Sequence, residues 1–194
     1  MDGMDASVLT LVLHPEAKSP CDPVTGKPIP RAKDRVDHLL ATLQQANRKI
    51  VIPTPVLSEV LVRTGKEGLG YIHLLQKSEF FDIRPFDEIA AIELSEINRR
   101  AIAEGNKTAK SEAPYQKIKV DRQIVSICKM AGVQVLYACD RVLMNFAKQA
   151  GLRVCGLHEL PLPPDPQTPP QLDIFSYKDG NLDAEALELH DEED

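Results

Sequence analysis

Short apolar runs that alternate with longer amphipathic stretches constrain the fold of this chain more than any other feature. The clearest pair is "KIVIP", residues 49–53, followed at once by "TPVLSEVLVR", residues 54–63. The first reads as a short buried strand. The second starts a helix, with Thr54 as a suitable N-cap and Pro55 in the first turn. A helix "RVDHLLATLQQANR" precedes this pair, and the helices "PVLSEVLVRTG" and "GYIHLLQKS" lead to the strand "FFDIRPF". Then come the long helix "DEIAAIELSEINRRAIAEG", a polar loop, helix "DRQIVSICKMAG", strand "VQVLYAC", helix "RVLMNFAKQAG" and strand "LRVCGL". Strands joined through helices run parallel, so the expected class is α/β, a mostly parallel sheet with helices on both faces. In the helix after the polar loop, Val120, Ile124, Ile127, Cys128 and Ala131 recur at helical spacing and form the expected sheet-facing stripe.

With 194 residues, 43% of them hydrophobic, the chain suffices for one full core plus appendages. No apolar run approaches the roughly 20 residues of a membrane span, and the start lacks the pattern of a signal peptide, so a cytoplasmic protein without a membrane partner is expected. Cys21, Cys128, Cys139 and Cys155 form no CxxC pair and no His/Cys cluster, which gives no support to zinc or to a disulfide framework. Of the 29 acids behind the net charge of -6, 8 fall in residues 179–194, which hold no Lys or Arg. The remaining 21 face 23 basic residues, so residues 1–178 are mildly basic.

Two loops and the tail stand outside the alternation. Five prolines between Pro15 and Pro30 mark a long connection, and "EGNKTAKSEAPYQKIKV" is the most basic loop. Six prolines in residues 161–170 favour an extended spacer ahead of the acidic end. The expected division is therefore a folded domain over residues 1–160, and a Pro-rich spacer with an acidic, flexible tail over residues 161–194.

Four acids stand near strand and helix junctions. Asp5 precedes the apolar run "SVLTLVL", Glu59 lies one turn into the helix after "KIVIP", Asp121 opens a helix, and Asp140 follows "VQVLYAC". Each Asp also serves as an N-cap, and Glu59 suits an i,i+4 ion pair with Arg63 worth roughly 0.2 to 0.5 kcal/mol. Taken together they suggest more, because ligands of an open parallel sheet sit at the carboxyl ends of its strands. Converging carboxylates repel one another unless a cation neutralises them, and hard oxygen donors without His or Cys point to Mg2+ or Mn2+. The chemistry implied is metal-assisted phosphodiester hydrolysis. No Walker phosphate loop and no GxSxG elbow is present, and the five His residues have no nucleophile partner.

The order of these acids resembles the PIN-domain nuclease family. The match runs through "DASVL" with Asp5 and Ser7, "IPTPVLSEVL" with Glu59, "DRQIVSIC" with Asp121, and "ACDRVLMNF" with Asp140 and Phe146, over roughly residues 1–157. The resemblance implies a three-layer α/β/α sandwich with a five-stranded parallel sheet and a Mg2+- or Mn2+-dependent endoribonuclease. Asp5, Glu59, Asp121 and Asp140 would be its catalytic and metal-binding residues, and Ser7 would support the first acid or its water network. Many relatives are VapC-like toxins held by an antitoxin, often as homodimers, so an antitoxin partner and a homodimer are implied as well. The chain departs from the pattern twice. Only "MDGM" precedes Asp5, too little for the expected first strand, and Ala138 stands where the family carries Thr or Ser.

RNA is the expected substrate, with Lys107, Lys110, Lys117, Lys119, Arg122 and Arg141 as candidate phosphate contacts beside Asp121 and Asp140. Two other readings compete. One is a catalytically weakened PIN fold that acts as an RNA- or protein-binding module. The other is a phosphatase of related topology, against which Ser7 stands where the haloacid-dehalogenase pattern needs a second Asp.

Overall fold

The computed structural model describes residues 1–14, 16–65, 68–105 and 114–164. The Pro-rich spacer beyond residue 164 and the acidic tail lie outside the described residues, as do Lys107 and Lys110. Strand β1 (Asp2–Met4) is followed by α1 (Ala6–Leu13), α2 (Ala32–Gln45), β2 (Ile50–Pro53), α3 (Thr54–Thr64), α4 (Gly68–Lys77) and β3 (Phe81–Arg84). Then come α5 (Glu88–Ala103), α6 (Tyr115–Met130), β4 (Val135–Ala138), α7 (Arg141–Gln149) and β5 (Arg153–Gly156), with a closing 3-10 turn at Leu157–Glu159. The five strands form one sheet in the order β3-β2-β1-β4-β5, every neighbouring pair parallel. Helices cover both faces, which gives the expected α/β architecture. No helix among the described residues is long and apolar enough to cross a membrane.

The four residues ahead of Asp5 do form a strand, contrary to the expectation from their number. Asp2, Gly3 and Met4 are all buried, and they pair with β2 on one side and β4 on the other. Three residues suffice because this strand is central and both its edges are satisfied. Its acidic first residue is tolerated because Arg48 meets it: Nη2 donates to Oδ1 at 2.8 Å, and Nε lies 2.6 Å from Oδ2. Gly3 has little room for a side chain, since a Cβ there would stand 3.2 Å from Leu136 Cδ1 and 3.3 Å from Cys128 Sγ.

Two local expectations give way to tertiary structure. Thr54 is the first helical residue of α3 rather than its cap, because Pro53 already holds the extended cap conformation. Helix α6 begins at Tyr115 and not at Asp121, with Pro114 extended at the cap position. Ile118 is buried, so the apolar stripe reaches six residues further back than Ile124. Val120 is exposed at 40% and lies off that stripe. The long connection between α1 and α2 is present as expected, and it is locally ordered. Cys21 bridges Pro28, the Asp22 N–H donates to the Lys27 carbonyl at 2.8 Å, and Ile29 is buried.

The core gathers around the sheet, with Val8, Ile50, Val51, Val56, Val60, Val125, Leu136 and Ala147 fully enclosed. Cys128 and Cys139 are buried free thiols, and burial pushes the Cys128 pKa up to about 12, which makes it an inert packing residue.

Candidate active site

The strand order fixes where the site must be. The chain winds outward from β1 through β2 to β3, then returns to place β4 on the other side of β1. The reversal lies between the carboxyl ends of β1 and β4, where a parallel sheet leaves a crevice. Asp5 is the residue immediately after β1, and Asp140 comes two residues after β4. Both are N-caps: Asp5 Oδ1 accepts from the Val8 N–H at 2.8 Å, and Asp140 Oδ1 accepts from the N–H groups of Val142 and Leu143 at 2.8 and 3.1 Å. Capping is how the sequence aims both carboxylates at the crevice.

Asp5 is also bound across the switch. Its Oδ2 accepts from the Cys139 N–H at 2.6 Å and lies 3.4 Å from the Asp140 N–H. Burial pushes its pKa up to about 6, the three backbone bonds and a nearby Asp140 charge notwithstanding or adding to it. Both oxygens thus serve the backbone first.

Asp121 arrives from α6, which packs against α3, α5 and α7. It lies in the second turn of that helix and is nearly enclosed, so it caps nothing. Lys117 stands one turn earlier on the same face. Its Nζ lies 2.9 and 3.2 Å from the two oxygens of Asp121 and 2.7 Å from Asp140 Oδ2. One ammonium thus joins two carboxylates from separate elements. Burial raises the Asp121 pKa, and Lys117 only partly counteracts it. Burial also disfavours ionised Asp140, but Lys117 and the cap N–H groups outweigh it and hold this carboxyl below its usual range.

Glu59 lies at the edge of this group. Its half-exposed carboxylate is paired with Arg63, the i,i+4 partner, yet its charge still reaches Asp121 and raises that pKa. Ser7 is half-buried and lines an open cleft with Thr10, Lys18, Arg63, Cys139 and Asp140. Ala138 is fully buried at the end of β4.

The basic candidates separate by position. Arg122 is buried: its Nη1 donates to Asn98 Oδ1 at 2.7 Å and its guanidinium lies 5.0 Å from the centre of the Phe146 ring. It joins α5, α6 and α7 and is not displayed to a ligand. Lys117 is engaged by the two acids, and Lys119 lies over the Tyr115 ring at 5.0 Å. Arg141 is exposed and lines a groove with Asn145, Lys148 and His158. Asn145 and Lys148 were not singled out in the sequence, although Arg141, Asn145 and Lys148 follow the i, i+4, i+7 spacing of one helix face.

Among the described residues, no group of three or more His, Cys, Asp or Glu side chains stands together in position to hold a metal ion. The donor chemistry nevertheless suits Mg2+, which takes one or two carboxylates and completes its shell with water and phosphate oxygens. Asp121 and Asp140 supply two such carboxylates around a point where a cation, the Lys117 ammonium, already sits.

No family model matches the sequence, and none of the curated proteins does. Solved structures do match. VapBC2 from Rickettsia felis, bound to a DNA fragment from its promoter, superposes with a TM-score of 0.53 at 14% identity over 80% of this chain and 98% of that one. DNA-bound VapBC from Salmonella typhimurium gives 0.51 at 13% identity over 81% and 98%. The fold is PIN-like. Within a PIN-like fold, Asp5 and Asp140 occupy the crevice at the strand-order reversal, and α6 brings Asp121 to it.

Proposed function

We propose that the chain is a Mg2+- or Mn2+-dependent endoribonuclease of the toxin kind, with its centre at Asp5, Glu59, Asp121 and Asp140. The observation that carries this reading is the convergence of Asp121 and Asp140 on a single cation, Lys117 Nζ, at the crevice of the sheet. A divalent ion bound there supplies Lewis-acid polarisation of a phosphoryl oxygen and acidification of bound water. Asp121 and Asp140 hold it. Asp5, fixed by the N–H groups of Val8 and Cys139, keeps a negative field behind Asp140, and Glu59 stands at the open edge beside Arg63. Ser7 lines the cleft beside Asp140, where its hydroxyl would help to hold water.

A substrate strand leaving this centre runs along α7, where Arg141 and Lys148 meet phosphates and Asn145 adds a neutral donor. An antitoxin protein is the partner proposed with this activity, since the similar solved structures are VapBC complexes, and a homodimer is the assembly that the family resemblance implies. A cytoplasmic setting is proposed with this activity.

A weakened, binding-only PIN fold is the second reading, favoured by the engagement of Glu59 with Arg63 and of Asp5 with the backbone. Incubation of the purified chain with mixed RNAs, after chelation and after addition of Mg2+ or Mn2+, separates the two. Cleavage restored only by the metal supports the nuclease, whereas RNA retention without cleavage under every metal supports the binding module.

A further inference from the structure

We infer that Lys117 is an internal counter-ion that competes with the divalent cation for the seat between Asp121 and Asp140, so that metal enters by displacing its ammonium. The inference rests on the metal-dependent reading of this site.

The geometry gives Lys117 a position that a surface lysine does not have. Its ammonium is within 2.9 Å of carboxylates from α6 and from the start of α7, and the Asp121 side chain is 6% exposed. Two carboxylates so placed destabilise each other without a cation, and the charges of Glu59 on Asp121 and of Asp140 on Asp5 add to the repulsion. Two other basic side chains line the cleft among the described residues: Arg63 is paired with Glu59, and Lys18 forms no ion pair with Asp121 or Asp140. Lys117 therefore keeps the acids assembled when no metal is bound.

The same position is the one a metal shared by Asp121 and Asp140 requires. An ammonium and a divalent ion cannot both occupy it. Lysine suits a displaceable plug: its charge is compact, its stem has four carbons, and at 39% exposure its route to solvent is open. The i,i+4 spacing from Asp121 keeps the displaced side chain beside the crevice, at the edge where a phosphate group would arrive.

Competition of this kind makes metal affinity rise when the lysine charge is removed. Mn2+ binding to the full chain, measured by isothermal titration calorimetry and by the metal-induced rise in Tm, tests it with no substrate present. Lys117→Met should bind Mn2+ at least about tenfold more tightly than wild type, equivalent to about 1.4 kcal/mol. Lys117→Gln should show the same direction should the Met variant fold poorly, and Lys117→Arg, which keeps the charge, should bind no more tightly than wild type. Equal or weaker Mn2+ binding by both neutral variants, with wild type binding the ion, would overturn the competition and leave the metal-dependent reading standing. Absence of binding by wild type and by all variants would overturn both.

Discussion

The Cys139 N–H donates to Asp5 Oδ2 at 2.6 Å, a bond that ties the end of β1 to the end of β4 across the reversal of strand order. The bond fixes one carboxylate of the site, but it does not replace the water that burial removes, and the Asp5 pKa rises from 3.8 to about 6.

A carboxyl that titrates higher in the folded than in the unfolded chain holds its proton more strongly when folded. Its contribution is fully present below the unfolded pKa and is lost as pH rises through about 6. A rise from 3.8 to about 6 corresponds to roughly 3 kcal/mol. Urea denaturation at pH 4 and pH 7.5, for wild type and Asp5→Ala, should show the wild type losing about that much of its advantage over the variant at the higher pH. Asp140, whose pKa is lowered, acts in the opposite sense at more acidic pH, so the comparison with Asp5→Ala is needed to isolate Asp5. A stability difference independent of pH would contradict the assignment.

Asp2 and Arg48 should respond asymmetrically to substitution. Asp2 is fully buried while Arg48 is 31% exposed, so Arg48→Met leaves an unpaired charge in the central strand. That should cost about 3 to 5 kcal/mol, whereas Asp2→Ala lets the guanidinium turn to solvent and should cost less. Chemical denaturation of the two variants measures the order, and a larger loss for Asp2→Ala would contradict it.

Arg122 and Arg141 should separate stability from RNA affinity. Arg122→Ala removes the bond to Asn98 and the contact with Phe146, so Tm should fall while the folded fraction keeps its RNA affinity. Arg141→Ala should leave Tm within about a degree or two, weaken RNA binding, and reduce the slope of log affinity against log salt by about 1. Fluorescence anisotropy across a salt series, beside thermal melts, checks both variants.

The alternation of strands and helices was legible in the sequence because β2 and β4 are compact apolar runs that lead into amphipathic helices. Asp140 was legible for the same reason, standing where β4 ends and α7 begins, whereas Asp5 was read only as an acid ahead of an apolar run. Asp121 was found, but its depth was not: a polar loop masked the start signal of Pro114, and with it the full turn of α6 that carries Lys117. Once the helix starts at Tyr115, Lys117 and Asp121 share one face, a relation that spacing alone reveals. The strand β1 was hidden by an Asp and a Gly in three residues. Its burial depends on Arg48, 46 residues away, and on strands at both edges, relations that no local pattern carries. Arg122 looked like a phosphate contact by its position beside Asp121, and only helix packing shows that it points into α5 and α7.

The central claim is that Asp121 and Asp140 share one cation position that supports RNA hydrolysis. Its most direct test is cleavage of mixed RNAs in Mg2+ or Mn2+ by wild type, Asp121→Asn and Asp140→Asn, purified identically and shown to be folded. The account predicts metal-dependent cutting by wild type that falls by at least about a hundredfold in each variant, the scale expected when a group stabilising transition-state charge is lost. Equal cutting by all three proteins, or none by wild type under either metal, would contradict it.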